Sequence, residues 1–322
     1  MNYVGRLAPS PTGAQHLGNA RTYLVAWLQA RCSNGRLLLR IEDLDTPRTK
    51  LGAEQMILTD LDWLGLDWDR DGSSKGYLLQ SERLERYNDV LNRLKDEQLV
   101  YPCTCSRSEI EQSSSAPHES RLDGVVYPGT CANRTVEDAR KLDLQGRKYA
   151  WRFRFPSDAR LTWTDEFDGA HSLLVSKALG DFIVARNYGA IAYQLAVVVD
   201  DYDSGITHVV RGNDLVYSTF RQIAIYQALG WPAPKWLHVP LVVGEDGLRL
   251  AKRHGDTRLC SLRENGFSST DILGKIAKSL GLVPTETPIG AQELLRVATA
   301  SDWLRGIPRH PVKIALSEFP QK

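Results

Sequence analysis

Leu17, Ala20, Leu24, Trp27, Leu28 and Cys32 recur at near-helical spacing, which predicts a helix that stops at Ser33-Asn34-Gly35. On either side the texture is different. Residues 3–8 read as a short strand, and Arg36-Leu37-Leu38-Leu39-Arg40-Ile41 is a short apolar run of the kind a buried parallel strand carries. Strand, helix, strand in this order is a βαβ unit, normally right-handed. A second helix is expected over 52–64, and a third from just after Ser81 to about Glu97 with Leu84, Tyr87, Leu91 and Leu94 on one face. Tyr149, Trp151, Phe153 and Phe155 alternate with polar residues, the pattern of a half-buried strand. Further strands are predicted over 206–210 and 236–243, the latter ended by the turn Gly244-Glu245-Asp246-Gly247. A helix over 217–229 stops at Gly230, and beyond Leu259 the pattern is helical with Gly/Pro breaks, as over 271–280.

The chain has 322 residues, enough for one large domain and one or two small ones. With 42% hydrophobic and 25% charged residues it reads as a soluble globular protein. The net charge of +1 excludes a global basic field but not a local basic face. No stretch approaches the roughly 20 apolar residues of a membrane span, and the first residues form no signal peptide, so a cytoplasmic protein is expected. Five cysteines argue against a disulfide framework and make metal binding worth testing. Between residues 101 and 134 the texture turns to Cys, Pro, Ser and Gly, as in an inserted module.

The candidate chemistry starts at Pro9-Ser10-Pro11-Thr12-Gly13, followed by His16-Leu17-Gly18 at the predicted helix start. A helix N-terminus offers N–H groups and a positive dipole end to anions. His16 can donate to a phosphate oxygen, and Gly18 lets a ligand approach the backbone. Open α/β sheets bind ligands at the carboxyl ends of their strands, where this loop is expected. The string RLAPSPTGAQHLGNART, followed by LLLRIEDLDTPR, closely resembles glutamyl-tRNA synthetases, class I enzymes with a Rossmann-like α/β catalytic domain. His16-Leu17-Gly18-Asn19 stands where that class carries His-Ile-Gly-His, with Asn19 keeping an amide donor in the last position.

The resemblance implies activation of L-glutamate by ATP, with Mg2+ accompanying the nucleotide. Thr12, His16, Gly18 and Asn19 would then serve ATP, with His16 catalytic, and Arg6, Ala8, Ser10 and Glu42 would serve glutamate. Arg6 is suited to clamp the side-chain carboxylate and Glu42 to hold the ammonium group; a structural ion pair at a strand end is the competing reading. The stretches IAYQLAVVVDD and THVVRGND resemble the glutamate-binding half of the family, so Tyr193 and Arg211 are implied as amino-acid contacts. An ordinary core tyrosine is the alternative for Tyr193. Arg249-Leu250-Ala251-Lys252-Arg253 stands where class I synthetases carry Lys-Met-Ser-Lys-Ser, which implies a catalytic Lys252 and an ATP-binding Arg249.

Cys103-Thr104-Cys105 and the later Cys131 suggest structural zinc. On chemical grounds His118 is the usual fourth ligand, whereas the resemblance favours Tyr127, so the implied set is Cys103, Cys105, Tyr127 and Cys131. Cys32 and Cys260 read as packing residues. The expected organisation is a first catalytic half over 1–100, a zinc-binding insertion over 101–135, an acceptor-type insertion with the second catalytic half over 136–260, and a short helical region over 261–322. The stretch after Lys252 is too short for a large anticodon-binding region. In this the chain resembles the compact branch of the family, and that resemblance, not the spacing, implies transfer of glutamate to queuosine in tRNA(Asp); a monomer is expected. Charging of tRNA(Glu) by a truncated synthetase, or a non-catalytic RNA-binding paralogue, are the alternatives. Arg147, Lys148, Arg152 and Arg154 are candidate phosphate contacts or simply the solvated face of a strand.

Overall fold

The computed structural model describes residues 2–45, 49–113, 124–156, 158–186, 189–244, 246–247, 250 and 256–314. The predicted βαβ unit forms. β1 (Val4–Leu7) leads into α1 (Leu17–Cys32), which returns to β2 (Arg36–Ile41), parallel to β1 with Arg6 opposite Leu38. The stop after α1 is steric. Asn34 takes φ 48°, and a Cβ on Gly35 would press on the Tyr3 backbone oxygen. α2 (Ala53–Leu64) follows, then β3 (Leu78–Leu79), parallel to β2, and α3 (Leu84–Asp96). Tyr87, Leu91 and Leu94 are buried as expected. Leu84 is not: it sits in the first turn, where a 3-10 segment over Gln80–Arg83 runs into the helix, and is 48% exposed.

β4 (Val100–Cys103), α4 (Arg107–Ser113), α5 (Val136–Leu144), β5 (Ala150–Phe153), β6 (Arg160–Asp165), β7 (Gly169–Leu174), α6 (Val175–Ala178), β8 (Phe182–Arg186) and β9 (Ala190–Ile191) come next. β4, β5, β8 and β9 form an antiparallel sheet. β5 departs from the half-buried strand that alternation predicts. Trp151 and Phe153 are buried, but so is Arg152 between them, because the cysteine-bearing segment covers that second face.

α7 (Tyr193–Asp203), β10 (His208–Gly212), α8 (Val216–Leu229), β11 (Lys235–Val239) and β12 (Val242–Val243) rebuild a parallel pair, β10 beside β11, with the β6–β7 hairpin on its far edge. α8 ends on Gly230 in the left-handed region, φ 67°. The strand predicted over 236–243 breaks in two at Pro240. Proline has no N–H for a ladder, and its carbonyl instead accepts from Arg21 Nη1 at 2.6 Å. α9 (Leu259–Glu264), α10 (Ser269–Ser279), α11 (Ala291–Thr299) and β13 (Val312–Lys313) are the last elements among the described residues, β13 pairing parallel with β12.

One apolar core joins α1 to β1, β2, α10 and α11, and a second joins α3, β5, β8, α7 and α8. Between them β1 lies against β10. Thr207 N–H donates to the Val4 carbonyl at 2.9 Å, and Val4 N–H to Thr207 Oγ1 at 2.8 Å. The β3-β2-β1 sheet therefore abuts the β10-β11 pair along β1 and β10, and the chain reverses its winding there. That reversal is where an open α/β sheet leaves a crevice. Among the described residues no helix is long and apolar enough to cross a membrane.

Candidate active site

A cavity of about 610 Å³ opens at this reversal. Its lining includes Arg6, Ala8, Ser10, Thr12, His16, Gly18, Asn19, Glu42, Tyr193 and Arg211, which four separate parts of the chain contribute. Backbone bonds hold the Pro-rich loop: Glu42 N–H to the Pro9 carbonyl at 2.9 Å and Lys50 N–H to the Pro11 carbonyl at 3.1 Å. Buried Gln15 adds a brace, its Oε1 accepting from Tyr23 Oη at 2.6 Å.

His16 is the N-cap of α1. Its Nδ1 accepts from Gly18 N at 3.1 Å and Asn19 N at 3.4 Å, while Asn19 Oδ1 accepts from His16 N at 3.1 Å. This reciprocal cap puts the proton on Nε2, the tautomer that can donate away from the helix. The N–H groups of Gly18 and Asn19 are thus taken up by the cap, while both residues line the cavity, and a Cβ on Gly18 would lie 3.0 Å from the His16 ring. Arg21 points elsewhere, tying α1 to Pro240 and to Ser279 of α10.

The charges around the cavity are unevenly neutralised. Buried Arg40 is fully engaged, with Nη1 on Asp201 Oδ1 at 2.5 Å and Nη2 on Glu42 Oε1 at 3.1 Å. Arg6 donates through Nη1 to the Val210 carbonyl at 2.9 Å and stands 3.7 Å from Asp201. Burial pushes the Glu42 carboxyl up, and Arg40 and Arg6 pull it back. Arg211 is different. It is 5% exposed and donates through Nε to His238 Nε2 at 3.1 Å and through Nη2 to Thr219 Oγ1 at 2.7 Å. Among the described residues no carboxylate comes within ion-pair distance of it. Burial lowers its pKa, as expected of a cation without a counter-charge.

Tyr193 opens α7 and is 37% exposed, unlike Leu195 to Val199 behind it. It lines the cavity near Arg211 and Glu42, so the core alternative does not hold. Sequence reasoning missed Arg40, Asp201, Thr219 and His238. Arg40 and His238 sit between apolar strand residues that read as plain core, and Asp201 and Thr219 lie within helices with no local signal of a role.

Lys252 and Arg249 lie outside the described residues, as does His118. Of the described flanks of the basic segment, Val242 lines the cavity, and the Thr257 carbonyl accepts from Leu17 N at 3.1 Å at the start of α1.

The cysteine module lies apart from this cavity. The thiol sulfurs of Cys103, Cys105 and Cys131 lie within 4.8 Å of one another. Tyr127 Oη is 3.4 Å from Cys103 Sγ and 3.7 Å from Cys105 Sγ, and Cys105 Sγ is 3.6 Å from Cys131 Sγ. A tetrahedral thiolate-rich site has ligand–ligand edges of about 3.7 Å, so these four residues fit one metal ion. Arg152 stacks on the Tyr127 ring at 3.9 Å, and Arg154 donates to the Ala132 carbonyl at 2.5 Å while lying over Tyr101. Both arginines brace the module and are neither a solvated face nor free phosphate contacts. Arg147 and Lys148 are exposed. Cys32 packs half-buried against the α1 core.

The model of the class I tRNA synthetases (E and Q), catalytic domain, matches residues 3–294. The chain is 46% identical to a glutamyl-Q tRNA(Asp) synthetase of Rhodopirellula baltica, over 97% of this chain and 96% of that one. It is 47% identical to the protein of the same name from Symbiobacterium thermophilum, over 96% and 95%. A glutamate–tRNA ligase of Aquifex aeolicus is 39% identical, and the match spans 92% of this chain but 62% of the ligase. Among solved structures, a glutamate tRNA ligase from Elizabethkingia meningosepticum in complex with its amino acid superimposes with a TM-score of 0.81 at 27% identity, covering 98% of this chain and 68% of that one. The Pro-rich loop, the capped helix start and the reversal between β1 and β10 are thus features of a chain that belongs to the class I tRNA synthetase family of the glutamate and glutamine type.

Proposed function

We propose that this chain activates L-glutamate with ATP and passes the glutamyl group to queuosine in the anticodon of tRNA(Asp). One observation carries the amino-acid assignment: Arg211 is a buried cation held by neutral acceptors alone. Leaving such a charge unpaired is costly, and a ligand carboxylate relieves the cost where a carboxamide does not. Glu42, on the same cavity, supplies the opposite charge for an ammonium group. An α-amino acid with an acidic side chain satisfies both, with Arg6 as the second cation on the side-chain carboxylate.

In the first step an oxygen of the α-carboxylate attacks the α-phosphorus of ATP. The bond to the bridging oxygen breaks, pyrophosphate leaves, and glutamyl-adenylate remains. A carboxylate nucleophile needs no general base, so catalysis rests on donors that tighten as charge develops. His16 serves through Nε2–H, and Lys252 and Arg249 neutralise the phosphates, with Mg2+ accompanying ATP. In the second step an acceptor hydroxyl attacks the acyl carbon, the acyl–phosphate bond breaks, the hydroxyl proton passes to the departing phosphate, and AMP leaves. The acceptor assignment is supported by the names of the relatives matched over nearly the full chain. One structural Zn2+ held by Cys103, Cys105, Tyr127 and Cys131 would cross-link the module carried on β4. Glutamate labelling of tRNA(Asp) carrying or lacking queuosine tests the acceptor: only the queuosine form should be labelled. Labelling of tRNA(Glu) instead would overturn it.

A further inference from the structure

Behind Arg211, away from the cavity, lies a fully buried chain of polar groups. Asp165 Oδ1 accepts from the N–H groups of Phe167 and Asp168, both at 2.9 Å. Its Oδ2 accepts from His238 N at 3.1 Å and lies 2.7 Å from His238 Nδ1. With every direction around the carboxylate taken by a donor, Asp165 is the ionised acceptor and the imidazole carries its proton on Nδ1. His238 Nε2 is then a lone pair, and it meets Arg211 Nε–H at 3.1 Å. Thr219 Oγ1 accepts from Arg211 Nη2 at 2.7 Å and has two acceptors for its own proton, the Leu215 carbonyl at 3.4 Å and the same His238 Nε2 at 3.2 Å.

We propose that Asp165 and His238 are positioning residues that align Arg211 without discharging it, and so set the preference for a carboxylate over a carboxamide side chain. This rests on the reading of the cavity as an acidic amino-acid site. The chemistry of the middle link decides the outcome. A carboxylate at position 238 would align Arg211 equally well but neutralise it. An imidazolium would present a donor to a donor. A neutral imidazole, held in one tautomer by a carboxylate one step further back, gives an acceptor and leaves the charge for the ligand. Burial also favours the neutral ring. Nε and Nη2 are committed to this shell, and on the cavity side the same guanidinium interacts with the Tyr193 side chain.

The test uses ATP–pyrophosphate exchange with two variants of the full chain. His238→Leu removes the acceptor; His238→Gln places an amide oxygen near the position of Nε2. In His238→Leu the KM for glutamate should rise by about 10- to 100-fold, the loss of one hydrogen bond to a charged group. The KM for ATP should stay within about twofold, and the ratio of glutamate to glutamine use should fall by about the same factor as the glutamate term. His238→Gln should recover glutamate use to within about threefold of wild type. A merely structural role would shift both KM values together and would leave the glutamine ratio unmoved; that result, or a Gln variant no better than Leu, overturns the proposal. A wild type that exchanges with glutamate while His238→Leu is unaffected contradicts the positioning role alone. A wild type without glutamate-dependent exchange contradicts the reading of the cavity, and the positioning role falls with it.

Discussion

Arg40 and Arg211 are both buried arginines at the carboxyl ends of strands, yet they do opposite things. Arg40 is surrounded by Glu42, Asp200 and Asp201 and is part of the scaffold. Arg211 has no such partner among the described residues and is part of the binding site. Arg6→Ala and Arg211→Ala should each raise the KM for glutamate far more than that for ATP in steady-state exchange; equal changes would contradict the assignment. His238 adds a signature in stability. Burial brings it from its ordinary 6.5 down to about 4, against the pull of Asp165. Between those two values the unfolded chain binds a proton that the native chain refuses, so stability falls as pH drops through the window, by roughly 3 kcal/mol in total. Asp165, held below its ordinary 3.8 despite burial, adds its own loss only at still lower pH. Denaturation midpoints at pH 7 and 4.5 should therefore converge in His238→Gln relative to wild type. Identical pH losses in the two proteins would count against a neutral buried imidazole. Of these residues, Arg211 was legible because it precedes Gly212 at a strand end. His238 was not, since a histidine between Leu237 and Val239 looks like any core position until its partner from β6 is known.

Among the helices and strands, periodicity served best where one element buries one face. α1, β2 and α8 match their expected spans closely, because caps and apolar spacing agree there. β5 was misread since the cover on its second face comes from residues distant in sequence, and the strand over 236–243 was read as continuous across Pro240. α10 offers a prediction of sign. Glycine to alanine inside a helix ordinarily stabilises by about 1 kcal/mol. In Gly274→Ala, however, the new Cβ would be driven into the Thr287 carbonyl, a backbone atom that cannot yield easily. A net loss of about 1–3 kcal/mol is expected from thermal or urea denaturation; a gain would show that the packing of α10 on that loop is loose. For the cysteine module, purified protein should carry one equivalent of zinc. Cys131→Ser and Tyr127→Phe should each lower metal retention under chelator challenge. A Tyr127→Phe protein that holds zinc like wild type would remove the phenol from the ligand set.

As a complete fold, the chain brings together four stretches that are far apart in sequence because β1 and β10 become neighbours. The βαβ unit at the start could be read locally. The adjacency of Val4 to Thr207 could not, since nothing local encodes a pairing across about two hundred residues, and only family resemblance linked the two halves of the cavity beforehand. That adjacency turns a capped helix start into one wall of a site whose opposite wall carries an unneutralised cation. The claim is sharpest for the choice of amino acid. ATP–pyrophosphate exchange in the absence of RNA, measured across glutamate, glutamine and aspartate, tests it most directly. Glutamate should support exchange at least about 100-fold better than glutamine, and better than aspartate, whose side chain is one methylene shorter. Equal use of glutamine, or no exchange with glutamate at saturating ATP, would contradict the account.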